Sequence, residues 1–121
     1  MMINTTMPDK LVPYFEQELT DATVAFKSQH FEASWRHLER AHILGQPYPV
    51  AHTFVHLKML YFGVRTKNVA EVFGQIPRLV FGGVKSFVGE IPVGNTGGAN
   101  VPPLRSMQIP EDLQQIIQQS K

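Results

Sequence analysis

The chain has 121 residues, 43% of them hydrophobic, which suits one compact domain with a modest core and leaves no room for two. Lys and Arg number 11 against 10 Asp and Glu, a formal net charge of +1, so no strong field is available to hold nucleic acid and none is expected as a partner. Cysteine is absent, which excludes disulfides, thiolate metal sites and cysteine nucleophiles and leaves nitrogen and oxygen as the only strong metal donors.

The opening run M-M-I-N-T-T-M-P-D-K has no basic end followed by an apolar stretch. We therefore read no secretory signal and expect a cytoplasmic protein whose residues 1–7 are flexible. Pro8 and Asp9 precede a segment in which Leu11, Phe15, Leu19, Ala22 and Phe26 recur at the period of one helix face, predicting a first helix over about residues 8–28. Pro13 falls near its first turn, where a missing backbone donor is tolerated. After a break near Gln29, the stripe Phe31, Trp35, Leu38, Ala41 and His42 predicts a second helix, stopped by Gly45 with Pro47 and Pro49 behind it. Residues 50–65 form a third predicted helix and residues 69–88 a fourth. On the fourth, Val69, Val72, Phe73, Ile76, Val80, Val84 and Phe87 lie opposite Glu71, Gln75, Arg78 and Lys85, which read as the wet face, and Pro77 is expected to kink it.

The stretch 69–91 is the most apolar of the later chain, but its charges, Glu71, Arg78 and Lys85 among them, and its four glycines do not suit a membrane span, which needs about 20 mostly apolar residues. No membrane partner is expected. Residues 90–110 are rich in turn formers and poor in periodicity, an extended tail that leads to a short polar helix over 111–119. The predicted fold class is all-α: about four helices in a compact bundle, a turn-rich C-terminal tail and a short final helix, in a single domain spanning residues 1–121. The wide apolar arc of the fourth helix is compatible with a homodimer.

Two short patterns carry chemistry. Glu39-x-x-His42 lies on the second predicted helix and His52-x-x-x-His56 on the third, either side of G-Q-P-Y-P. On a helical wheel His42 falls within about 60° of Phe31, Trp35 and Leu38, with Glu39 at the edge of that stripe. His52 and His56 share a face with Met59 and Leu60, nearly opposite Lys58 and Arg65. If the two helices pack as an antiparallel hairpin, His42 and His52 form one rung and Glu39 and His56 the next.

Unpartnered buried imidazoles would be costly, and a shared metal ion removes that cost. The predicted site is thus one divalent metal held by Glu39, His42, His52 and His56, zinc first, with nickel, copper and iron not excluded by the donor set. Glu71 and Gln75 are accessory candidates, but one further carboxylate does not make a di-iron site, which needs a second Glu-x-x-His motif. Any one of these residues has an ordinary alternative. An inward histidine is commonly a satisfied core residue, and Glu39 can pair with Arg36 or Arg40 on its own helix. His30, at a helix start, and His37, off the stripe, read as solvated.

The tail segment G-N-T-G-G-A-N permits positive φ and exposes backbone donors, yet it lacks the G-x-x-x-x-G-K-[ST] pattern of a phosphate-binding loop and reads first as structural turns. No G-x-S-x-G elbow or paired catalytic carboxylates are present, so no catalytic residue is assigned.

The runs H-L-E-R-A-H-I-L-G-Q, the pair His52 and His56 with H-L-K-M-L, E-V-x-G-Q from Glu71 to Gln75, and P-V-G-N-T-G-G-A-N-V from Pro92 to Val101 together resemble a family of small bacterial proteins known only as a domain of unknown function. Ser106 stands where the family pattern has proline. The resemblance implies a helical architecture, directs attention to Glu39, His42, His52 and His56, and, through members that accompany heavy-metal resistance determinants, implies a metal-handling role. A second resemblance competes: residues 21–47 are similar to one tetratricopeptide-type helical hairpin, with small residues at Ala22, Ala33 and Ala41 and a closing Pro47. No second copy recurs at the 34-residue period, and that reading implies a metal-free helical interaction module in which the histidines are core or groove residues.

Overall fold

The computed structural model describes residues 6–88, 96–99 and 107–121, with side chains in the fourth helix as far as Leu79. Among the described residues there are five helices and no strand: α1 (Val12–Lys27), α2 (Phe31–Gly45), α3 (Pro49–Arg65), α4 (Val69–Val88) and α5 (Glu111–Gln119). The fold is all-α, as the periodicity predicts. The expectations for residues 1–5, most of the 90–110 tail, and the side chains of Val80, Val84, Lys85 and Phe87 lie outside the described residues.

The helices begin and end where backbone chemistry requires it. Pro13 and Pro49 occupy the first turns of α1 and α3, where no intrahelical partner exists for the missing donor. Tyr48, preceding Pro49, is held extended at φ −113° and ψ 110°. Both α1 and α3 end in the same motif: Gln29 and Lys67 adopt φ of 62° and 59°, and the residues after them, His30 and Asn68, donate back to Ala25 and Gly63 carbonyls at 2.8 Å. Asn68 then opens α4, its Oδ1 accepting from the Glu71 amide at 3.1 Å.

Helix α1 packs along α2 and α3 along α4; α2 joins the two pairs, and α5 rests on α2. The core holds Leu11, Phe15 and Ala22 from α1 and its approach, Leu38, Ala41 and Leu44 from α2, Val55 and Met59 from α3, and Leu113 from α5. Arg40 secures that last contact. Its Nε donates to both Glu18 oxygens at 2.9 Å while its terminal nitrogens reach Asp112, so one guanidinium spans α1, α2 and α5.

The first half of α4 departs from the sequence reading. Glu71 and Gln75, assigned above to the wet face, are 7% and 0% exposed, whereas Phe73 is 69% exposed and Val69 and Ile76 also face outward. The cause lies on the facing helix. His56 on α3 needs a hydrogen-bonding partner in the interior, and the polar pair one turn apart on α4 supplies it. Gly63 permits this approach, since a Cβ there would stand 3.2 Å from Val72 Cγ2 and 3.3 Å from its backbone nitrogen. Val50, Phe54, Leu57, Tyr61 and Val64 form a second exposed apolar stripe on α3.

The two left-handed residues give a direct check on the helix ends. Gln29→Gly and Lys67→Gly should each raise stability by about 0.5–1 kcal/mol in urea denaturation, because glycine adopts positive φ without the Cβ penalty.

Candidate metal centre

Helix α2 delivers His42 one turn before its end, and α3 delivers His52 and His56 from its first two turns, so the short connection at residues 46–48 brings three imidazoles together in the interior. All three are buried. Their Nε2 atoms form a nearly equilateral triangle: 3.0 Å from His42 to His56, 3.1 Å from His42 to His52 and 3.0 Å from His52 to His56. The rings meet at interplanar angles of 56° to 76°, so their ring nitrogens converge and their faces do not stack.

The protonation of His56 follows from its surroundings. Gln75 Nε2 donates to Glu71 Oε2 at 2.6 Å and to the Gly97 carbonyl at 2.8 Å. Both partners are acceptors only, so the amide's orientation is fixed and its Oε1 must face His56 Nδ1, 2.6 Å away. His56 Nδ1 therefore carries the hydrogen and donates it, and in the neutral ring the Nε2 lone pair points into the triangle. Glu71 is itself held by the Ala99 amide, at 3.2 and 3.0 Å from its two oxygens. The relay Glu71–Gln75–His56 matches the outer support typical of metal-ligating histidines, with an amide between carboxylate and imidazole.

Burial drives the imidazoles toward neutrality. Desolvation, with repulsion from His56 added, pushes His52 down to about 3. Desolvation pushes His56 down to about 4; the hydrogen bond to Gln75 opposes the shift and the charge of Arg78 reinforces it. At neutral pH these two rings are uncharged donors of nitrogen lone pairs.

The segment Thr96–Ala99 closes over the triangle. Gly97, buried and at φ +85°, lies so near His42 that a Cβ would stand 2.5 Å from its Cδ2 and 2.7 Å from its Nε2. Gly97 thus has a site-forming place: only a residue without a side chain fits there against His42.

Not every predicted residue arrives at the centre. Among the described residues, the donor atoms that lie within 4.8 Å of one another are those of His42, His52 and His56, and Glu39 is not among them. Glu39 stands half-buried to one side, its carboxyl raised above the ordinary range by desolvation; hydrogen bonding to Trp35 opposes the rise and the nearby Glu71 charge adds to it. Helix geometry accounts for this: three residues carry Glu39 about 60° round α2 from His42, enough to turn it out of the triangle. Instead of forming two rungs, His42 sits opposite both α3 histidines. Glu71 and Gln75 reach the site through the hydrogen bond to His56. A sign of this was present in the sequence, as two polar residues one turn apart among Val69, Val72, Phe73 and Ile76. His30 is exposed at the α2 start as expected, whereas His37 is half-buried with Nδ1 3.4 Å from Glu18.

The family model described as Protein of unknown function (DUF3703) matches residues 9–117. The chain belongs to that family. No curated protein and no solved structure matched it. Within this member of the family, the segments singled out in the sequence for their resemblance meet at one place, since His42, His52, His56, Glu71, Gln75 and Gly97 are all joined by the contacts above.

Two outcomes follow. His52 and His56 have folded pKa values of about 3 and 4 against about 6.5 unfolded, so between these limits the unfolded chain binds more protons than the native one. Stability of the metal-free protein is then present in full above about pH 6.5 and should fall as pH drops from there toward 4, a slope measurable by urea denaturation at fixed ionic strength. The same slope should weaken in His52→Phe. Gly97→Ala should lower the melting temperature and broaden the His42 ring resonances, since its Cβ overlaps that ring.

Proposed function

We propose that this protein binds one divalent transition metal through His42, His52 and His56, in the handling of metal or the response to metal stress. The observation that carries this reading is the Nε2 triangle with the Gln75-fixed orientation of His56. Nitrogens about 2.1 Å from a shared ion lie about 3.0–3.4 Å apart for bond angles between 90° and 109°, and the edges here are 3.0 to 3.1 Å. Without a cation or a shared hydrogen inside the triangle, lone pairs would face each other in a low-dielectric interior, which is unfavourable. Three neutral imidazoles suit zinc first, and nickel, copper and iron(II) are served by the same donors.

Three protein nitrogens leave at least one coordination position for water or another small donor. Glu39, the fourth ligand expected from sequence, acts in this proposal by charge beside the site; it and the buried Glu71 offset a cation's charge without contributing to the triangle. Gln75 holds the His56 tautomer. The exposed apolar stripes on α3 and α4 favour, as a second proposal, a homodimer formed through these faces; Phe73→Glu should then shift the protein to monomer in light scattering.

Elemental analysis and calorimetry on protein purified without an affinity tag test the metal reading. One equivalent of zinc should bind and raise the melting temperature. His42→Ala and His56→Ala should each weaken binding by about 100-fold or more, Gln75→Leu by about 10–100-fold, Glu39→Gln by less than about tenfold, and His37→Ala not at all. Below about a tenth of an equivalent of any transition metal, with no thermal stabilisation by zinc, nickel or copper, the proposal is lost.

A further inference from the structure

Away from the histidines, at the opposite end of α3, the described residues line a cleft, open to solvent on one side, of about 670 Å³ between α1, α2 and α3. Its floor is Ser34 and Leu38 of α2; its walls include Phe26 from α1 and Tyr61 and Phe62 from α3. The polar atoms of floor and wall are already satisfied internally: Ser34 Oγ donates to the Ala22 carbonyl at 2.7 Å and Thr23 Oγ1 to the Leu19 carbonyl at 3.1 Å. The interior therefore offers carbon to a ligand.

The rim offers charge of one sign. Lys27, Lys58 and Arg65 border the cavity, and its lining includes no carboxylate. Aromatic faces hold two of these cations in place without neutralising them: Lys58 Nζ lies 5.4 Å from the Phe54 ring centroid, and Arg65 sits over Tyr61 while donating to its hydroxyl at 3.2 Å. Lys27 and Arg65 fall in the last turns of α1 and α3, where the helix dipole alone favours a cation. Lys58 has no such reason to be basic, standing in the middle of α3. An apolar chamber with a cationic mouth, and a volume in the range of small-molecule sites of about 300–1,000 Å³, fits a ligand with one hydrocarbon body and one anionic head.

We infer that this cavity is a binding site for a small amphipathic monoanion, an acyl or aryl carboxylate, with its tail over Leu38 and alongside the packed Phe26 and Phe62 rings and its carboxylate at Lys58. The site is separate from the histidine triangle and its occupation does not depend on the metal reading. Trp35, the chain's single tryptophan, packs on Phe62 at 5.0 Å between ring centroids and so reports on the wall of the cavity.

Decanoate, kept below its micelle concentration, should change Trp35 fluorescence saturably with one site per chain. Decanol and decyltrimethylammonium should bind at least about tenfold more weakly, since they lack the charge that the rim would pair with. Lys58→Glu should weaken decanoate by about tenfold or more, and Lys58→Gln, a milder change that guards against misfolding, should weaken it in the same direction. Decanoate binding should be the same after zinc addition and after treatment with a chelator, which separates this site from the metal centre. No saturable change with decanoate, equal affinity for all three probes, or full decanoate affinity in folded Lys58→Gln and Lys58→Glu would each overturn the inference.

Discussion

Three ring nitrogens 3.0 to 3.1 Å apart in the interior of a small helical protein impose the demand that organises the rest of the structure. Such a cluster is tolerable only if the rings are neutral, oriented and closed off from competing arrangements. Burial supplies neutrality. Gln75 supplies orientation, and it does so because Glu71 and Gly97 leave its amide one way to point. Gly97 supplies closure. Each of these comes from a different part of the chain, and each loses its local rationale if the imidazoles are removed: a buried glutamine on α4, and a left-handed glycine pressed against a ring.

The same demand explains the unusual surface. A helix whose polar pair turns inward must turn apolar residues outward, so Phe73, Val69 and Ile76 face solvent as a direct consequence of His56 needing a partner. Periodicity treats polarity as a preference for water, and it is a sound guide for α1, where Leu11, Phe15 and Ala22 are buried and Leu19 and Phe26 partly so. It is a poor guide where an interior polar group outbids solvent for hydrogen bonds. On α4 the preference of glutamine for a fixed set of partners overrides the preference of phenylalanine for burial.

Much of the architecture was legible because helix boundaries depend on local chemistry. Gly45 with the prolines behind it and the break at Gln29 act within a few residues of themselves, and the boundaries of α2 to α5 follow closely from the sequence. The convergence of His42, His52 and His56 was legible for a similar reason, since all three lie within two turns of one short connection. Glu39 illustrates the limit of that reasoning. A three-residue step places it next to His42 in sequence yet turns it away in space, and its surroundings, Trp35 and Glu71, are set by tertiary packing. The partners of His56 were not readable from periodicity either, because Gln75 is 19 residues away and its role rests on a carbonyl 22 residues further on.

Those separations carry a consequence for how the site comes into being. The His42–His52 contact closes a loop of only 10 residues, whereas the Gln75–Gly97 and Glu71–Ala99 contacts close loops of 22 and 28. Loop-closure entropy grows with length and long-range pairings form later in folding. The two-histidine corner at the α2–α3 turn is thus available while much of the chain is still unstructured, and the third ring gains its fixed tautomer only when α4 and the Thr96–Ala99 segment dock. The fixing of the His56 tautomer therefore comes after the three rings have met, and it depends on the folding of the chain from α2 to Ala99 and not merely on the hairpin that carries the histidines.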